Sequence, residues 1–338
     1  MSPRLDPEAE ALLEVMSAAG TAPLHTLTVE QARQQMRAAF ITKGESIALH
    51  HVEDASVPTP HGGLAVRLYR PAAGVLPMAL FIHGGGWTLN DLDTHDRLCR
   101  RIAQRSGWLL ASLDYRRAPE HTHPAALEDA HIAYRWLLDN AERVKGDSSR
   151  LALVGESSGG TIAACLTLLL RDLGAPMPGL QILAYPLTDR YDRWPSYRER
   201  GTGYMLDNAS LRWFLDNYIP AGHDLEDPYL FPLAARDLGG LARTFVITAE
   251  FDPLRDEGVA YAERLAAAGV VVEHLHAEDQ MHGFLLLDRA IAKAGVLIDR
   301  LADALADQAS VGSAGATRIV CGAPHPQTDH LNPPSIES

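Results

Sequence analysis

Apolar positions along this chain alternate between two rhythms. Short apolar runs, MALFI (78–82), LLASLD (109–114), LALV (151–154), QILAY (181–185), TFVITA (244–249) and VVVEHL (270–275), read as strands. Between them lie stretches with helical spacing near 93–106, 124–140, 158–173, 255–268 and 288–307. Such alternation predicts right-handed crossovers and a mostly parallel sheet covered on both faces, so the expected fold class is α/β.

Three segments depart from that rhythm. Residues 6–41 predict two helices ahead of any strand, DPEAEALLEVMSAAG and TVEQARQQMRAAF, the second opened by Thr28 with Gln31 three places on, a capping-box pattern. From Ser46 to Arg70 apolar alternation is interrupted by PTPHGG, which predicts two antiparallel strands joined by a turn at the sheet's leading edge. Residues 188–237 form a long excursion between two strands, rich in Arg, Asp, Tyr and Trp, with a helix near 207–219. Connections of that length are usually functional. The expected division is therefore N-terminal cap helices (1–45), the first part of the core (46–187), a cap insertion (188–237), the second part of the core (238–307) and a flexible tail (308–338).

Composition narrows the class without naming the chemistry. The 338 residues are 46% apolar and 22% charged, the balance of an ordinary globular chain with enough apolar mass for a large core. A net charge of −13 disfavours nucleic acid or anionic membrane as a partner. Cys99, Cys165 and Cys321 are too few and scattered for a disulfide framework and are expected as reduced thiols. The first ten residues carry acids where a secretory leader needs an apolar run, and Arg171 cuts the longest apolar stretch short of a membrane span. No membrane insertion and a cytoplasmic location are expected.

The strongest chemical signal is LALVGESSGG. Gly155-Glu156-Ser157-Ser158-Gly159 fits the nucleophile elbow G-x-S-x-G in the required context, after a strand and before a helix. The bland alternative is a glycine-rich strand-to-helix turn. A second signal is His83-Gly84-Gly85-Gly86-Trp87 at the end of MALFI, a loop whose bare amides, with the amide of Ser158, suit the oxyanion formed when a serine attacks a carbonyl. No Walker lysine follows, so a phosphate cradle is disfavoured. Asp252 follows TFVITAE and His282 follows VVVEHL, giving the order nucleophile, acid, histidine, each at a strand end. Asp252 is preferred over Glu250, Asp256, Glu278 and Asp279 by position, although alone it reads equally as a helix N-cap.

Trp87, Tyr204, Met205, Trp213, Phe214 and Phe284 are substrate-pocket candidates. Tyr191 and Trp194 join them among the insertion's aromatics, and some of these are expected to be cap core. His50 and His51 lie on a strand. His121 and His123 sit in a proline-flanked loop with only Glu120 beside them and no cysteine nearby, so no metal site is expected there.

Taken together, HGGGW, DYRRAPE, GESSGG, DPLRDEG and HGF resemble the bacterial hormone-sensitive-lipase-like esterases, family IV carboxylesterases of the α/β-hydrolase superfamily. The resemblance covers roughly residues 1–307. It implies an eight-stranded α/β-hydrolase sheet with a helical cap, no cofactor or metal, small-molecule acyl esters of short to medium chain as substrates, and frequent homodimers. It matches Ser157, Asp252 and His282 to the triad and Gly85, Gly86 and Ser158 to the oxyanion-hole amides. Three positions depart from the usual motifs: Glu156 where Asp is common, Ser158 where Ala is common, and Arg117 where Leu is common. The alternatives are an interfacial lipase, a serine peptidase, and a catalytically silent ligand-binding member like the plant gibberellin receptors; retention of His282 argues against the last.

Overall fold

The computed structural model describes residues 3–41 and 46–307, and residues 318–320 as a backbone strand. Two helices lead, α1 (Pro7–Ala18) and α2 (Val29–Phe40), followed by β1 (His51–Thr59), β2 (Gly62–Arg70) and β3 (Leu76–Ile82). Then come α3 (Asp96–Ser106), β4 (Leu109–Leu113), α4 (Ala125–Asp139), β5 (Gly146–Glu156), α5 (Ser158–Asp172) and β6 (Leu180–Ala184). The excursion holds α6 (Pro195–Arg200) and α7 (Asn208–Tyr218), and the chain continues with β7 (Arg243–Phe251), α8 (Arg255–Ala267), β8 (Val272–Met281), α9 (Ala292–Asp307) and β9 (Arg318–Val320).

Among the described residues the strands form one sheet in the order β1-β2-β4-β3-β5-β6-β7-β8-β9. β1, β2 and β4 pair antiparallel, and every other pair is parallel. The eight strands and the α/β-hydrolase fold are as expected. β9 departs from the expected tail: residues 318–320 pair with β8, while the rest of 308–338, Cys321 included, lies outside the described residues. β4 and β6 are buried at every position, because helices cover both faces of a parallel sheet; β1, at the edge, is largely exposed.

Side chains at helix starts explain where the leading helices begin. Asp6 Oδ1 accepts the Glu8 amide at 2.8 Å ahead of Pro7, and Thr28 and Gln31 complete the capping box on α2. Both helices are tied to the core. The Asp6 amide donates to the Asp279 carbonyl at 2.8 Å, and the Ala292 amide to Glu8 Oε2 at 2.7 Å, so α1 is held against β8 and the start of α9. Arg33 on α2 donates to the carbonyls of Thr88 and Ala118, each at 3.0 Å, and forks onto Glu120 at 2.7 Å. That guanidinium joins α2 to the loops that follow β3 and β4. Elsewhere, α3 presents Arg97, Arg101 and Arg105 at four-residue spacing. Arg97 and Arg101 pair with Asp288, Arg101 also with Asp299, and Arg105 with Asp303.

Cys99 and Cys165 are buried free thiols, as expected. No described helix is long and apolar enough to cross a membrane.

Candidate active site

β3, β5, β7 and β8 run parallel, so the residues that follow them gather at one edge of the sheet: His83 after β3, Ser157 after β5, Asp252 after β7 and His282 after β8. Ser157 has φ +54° and ψ −127°, a conformation that an L-residue adopts only when its surroundings enforce it. The two glycines of the motif are what let those surroundings close in. A Cβ on Gly155 would lie 2.2 Å from the Gly159 carbonyl oxygen, and one on Gly159 would lie 2.0 Å from that of Ile82. Strand, turn and helix therefore pack backbone to backbone, and within GESSG the serine alone stays partly exposed besides the buried residues around it.

His282 Nε2 lies 2.9 Å from Ser157 Oγ, and His282 Nδ1 lies 2.7 Å from Asp252 Oδ2. The other Asp252 oxygen accepts the Leu254 amide at 2.8 Å, so the aspartate also serves the local turn, as its helix-start position suggests. Asp252 is fully buried and His282 nearly so. Burial works to lower the imidazole's pKa, but the charge and hydrogen bond of Asp252, with the charge of Glu156, prevail and hold it above the ordinary histidine value. The rival acids are engaged elsewhere. Glu250 pairs with Arg200, Arg255 and His276; Asp256 accepts the Ser196 amide; Asp279 pairs with Lys293; and Glu278 is exposed.

Among the described residues the amides of Gly85, Gly86 and Ser158 have no intramolecular acceptor, whereas those of Gly84 and Trp87 do. Three unpaired donors beside the Ser157 hydroxyl have the chemistry that a developing oxyanion needs. The paired ones fix the loop. The Gly84 amide donates to Glu156 Oε1 at 2.5 Å, His95 Nε2 lies 2.9 Å from the same oxygen, and the Trp87 amide donates to Ser158 Oγ at 3.2 Å.

A family model described as alpha/beta hydrolase fold matches residues 79–286. An ethyl acetate hydrolase of Pseudomonas putida is 37% identical over 303 residues, covering 86% of this chain and 95% of the relative. The carboxylic ester hydrolase LipN of Mycobacterium tuberculosis is 44% identical over 243 residues, which is 70% of this chain and 65% of the relative. An ester hydrolase from the metagenome of Lake Arreo, solved with a bipyridine phosphonate derivative, matches with a TM-score of 0.87 and 38% identity over 91% of this chain and 100% of that one.

The chain belongs to the hormone-sensitive-lipase-like esterases of the α/β-hydrolase fold. It is a serine carboxylesterase. The three departures of this esterase from its family motifs each have a local role. The extra methylene of Glu156 accompanies a carboxylate that reaches both Gly84 and His95; burial opposes its ionisation, but the His95 contact prevails and keeps its pKa below the usual glutamate value. The Ser158 hydroxyl ties the elbow to Trp87. Arg117 reaches the Asn90 carbonyl and pairs with Asp114 at 3.5 Å.

The pocket candidates divide. Trp87 and Phe284 are packed into the core: Trp87 stacks on Tyr218 with centroids 4.3 Å apart and planes at 1°, and Phe284 lies edge-on to Tyr185 at 5.4 Å. Neither is free to line a pocket surface to the extent that its place beside a motif suggested. Phe214 covers the oxyanion loop so closely that a Cβ on Gly86 would lie 2.2 Å from its ring, and Trp213 packs beside it at 5.2 Å. Tyr204 rests on Phe251 at 5.2 Å and, with it, lines a cleft of about 1170 Å³ against α1; Met205 is partly buried next to it. That cleft does not include Ser157, so the candidate site rests on the hydrogen-bonded line through Asp252, His282 and Ser157 and not on concavity. Sequence reasoning missed His95, Tyr185, which tilts over the His282 ring at 4.7 Å, and Tyr218. No motif marks any of them.

Proposed function

We propose that Ser157 is the nucleophile, His282 the general base and Asp252 its orienting acid, with the amides of Gly85, Gly86 and Ser158 as the oxyanion hole, in hydrolysis of short- to medium-chain acyl esters. The observation that carries this reading is the hydrogen-bonded line from Asp252 through His282 to Ser157, at 2.7 and 2.9 Å. Ser157 Oγ attacks the ester carbonyl carbon as its proton passes to His282 Nε2, and the carbonyl oxygen takes up charge against the three amides. Collapse expels the alcohol, which receives that proton. Water then gives a proton to His282 as it adds to the acyl carbon, and collapse of the second intermediate breaks the bond to Ser157 Oγ, which takes that proton back from His282 as the acid leaves.

We further propose that the described part of the N-terminal segment, residues 3–41, forms a roof over this edge with residues 188–237; residues 1–2 and 42–45 lie outside the described residues. His25, in the segment between α1 and α2, approaches Ser210 of α7 at 3.5 Å, and Arg33 and Phe214 both reach the HGGGW loop, which supports a shared role. Exposed large apolar side chains such as Val15, Val75, Leu173 and Val296 are spread over separate elements, which favours a roofed esterase over an interfacial lipase. A cytoplasmic location and a homodimer belong to the same proposal, the homodimer on the strength of the family resemblance.

The test is a panel of esters from two to sixteen acyl carbons beside a peptide amide, run on the natural chain and on Ser157→Ala. Each methylene that fits adds about 0.8 kcal/mol of burial, and overfilling costs about 1–3 kcal/mol, so kcat/KM is expected to peak between about four and eight carbons. Ser157→Ala is expected to stay folded and lose on the order of 10⁶ in rate. Appreciable turnover by the folded variant, or kcat/KM climbing steadily to sixteen carbons, contradicts the reading.

A further inference from the structure

Away from the triad, three side chains from two distant parts of the sequence converge. His123 lies in the loop just ahead of α4, and His223 and Asp227 lie in the segment that follows α7. His223 Nε2 is 2.9 Å and His123 Nε2 is 3.2 Å from the same carboxylate oxygen, Asp227 Oδ2. All three ligand atoms lie within 4.8 Å of one another. The other Asp227 oxygen is occupied by the Tyr229 amide at 2.8 Å, which fixes the carboxylate with Oδ2 towards the histidines.

We propose that His123, His223 and Asp227 bind a divalent transition-metal ion of the zinc class. Two imidazoles and one carboxylate are a ligand set that such ions favour over calcium or magnesium, which take mainly oxygen donors. Bonds of about 2.0–2.2 Å at a tetrahedral ion separate ligand atoms by roughly 3.3–3.5 Å; His123, at 3.2 Å from Asp227 Oδ2, already stands near that spacing, and His223, at 2.9 Å, has about half an ångström to move. The remaining nitrogen of His123, Nδ1, lies 3.3 Å from the Tyr218 hydroxyl, the kind of outer contact that orients a ligating histidine. Entry is provided for. His123 is buried, but His223 and Asp227 are partly exposed, and the three residues line a cleft of about 540 Å³ that also holds His61 and His131 and leaves room for water as a fourth ligand.

Such an ion fastens the segment after α7 to the loop ahead of α4. Through Tyr218, whose ring stacks on Trp87, it also steadies the oxyanion loop from behind. Its role is to hold the fold together, and the ester chemistry proceeds without it.

The test uses the full chain, freed of any histidine tag and stripped with chelator. Zn²⁺ is titrated by calorimetry, and Co²⁺ by its visible absorption. One Zn²⁺ per chain is expected, with a tetrahedral Co²⁺ spectrum. At about 100 times Kd the melting temperature should rise by on the order of 5 °C and fall back with chelator. His223→Ala is expected to lose stoichiometric binding and the thermal shift, and His131→Ala to keep both. His223→Cys supplies a ligand without the imidazole's hydrogen bond, and is expected to regain Zn²⁺ and give a thiolate-to-cobalt charge-transfer band. If the natural chain takes up no stoichiometric zinc, or if His223→Ala binds it unchanged, the cluster is a hydrogen-bonded network alone and the proposal is overturned.

Discussion

His282 is pulled two ways, and the outcome sets a measurable quantity. Burial favours the neutral ring, while Asp252 and Glu156 favour the charged one and prevail. As the proposed base, His282 must be neutral to accept the serine proton, so a raised pKa postpones activity to higher pH. The acid limb of kcat/KM is therefore expected to titrate above the ordinary histidine value, and Asp252→Asn should move it downward while lowering kcat by roughly 10⁴. The same residue bears on stability with the opposite sense. Its raised folded-state pKa contributes stability that is fully present below the unfolded value and is lost as pH rises through the folded one. Gly159 makes a separate prediction. Since a Cβ there meets the Ile82 and His83 carbonyls at 2.0 and 2.6 Å, Gly159→Ala must drive α5 away from β3, at a cost of about 1–3 kcal/mol seen in thermal melting. Ser157 and Asp252 were proposed because they stand at the ends of apolar strands, and strand ends in a parallel sheet meet; His282, seven residues beyond VVVEHL, was proposed from the order nucleophile, acid, histidine. His95, Tyr185 and Tyr218 were not, because their contacts depend on distances across the fold that no local pattern encodes.

At the level of elements, the sequence reading located the strands and helices because continuous apolar runs and helical spacing carry the information themselves. It was weaker where packing, not pattern, decides the outcome. Trp87 and Phe284 stand beside motifs and so read as pocket residues, yet the Tyr218 stack and the Tyr185 contact draw them inward. β9 has no pattern of its own at three residues and exists by pairing with β8. The attachment of α2 was equally hidden, since Arg33 is one charge on a polar helix until the Thr88 and Ala118 carbonyls are beside it. Arg33→Ala leaves those carbonyls and Glu120 without their donor. A loss of about 1–2 kcal/mol is expected, with a flatter dependence of kcat/KM on acyl length as the helix loosens from the oxyanion loop. An unchanged melting temperature together with an unchanged acyl profile would show that α2 does not act through this residue.

For the molecule as a whole, the order of strands in the sheet differs in meaning from the order along the chain. The proposed nucleophile and acid follow β5 and β7, and the base follows β8, which reaches the sheet after the exposed turn at Gly269. Everything that ends at Ala268 carries two of the three proposed triad residues and the three proposed oxyanion amides, while the remainder carries His282. The remainder also carries Asp288 and the α9 aspartates Asp299 and Asp303, which meet the arginines of α3 across the junction. Division at this turn therefore yields two pieces that are each inert towards esters, with a complementary charge ladder and a strand edge to bring them together. Fused to two proteins that bind one another, the halves are expected to regain ester hydrolysis on association, and reversing the signs of Arg97, Arg101 and Arg105 in one half should prevent it. Read this way, the histidine's place after a strand late in the chain makes the esterase a two-part reporter of molecular proximity.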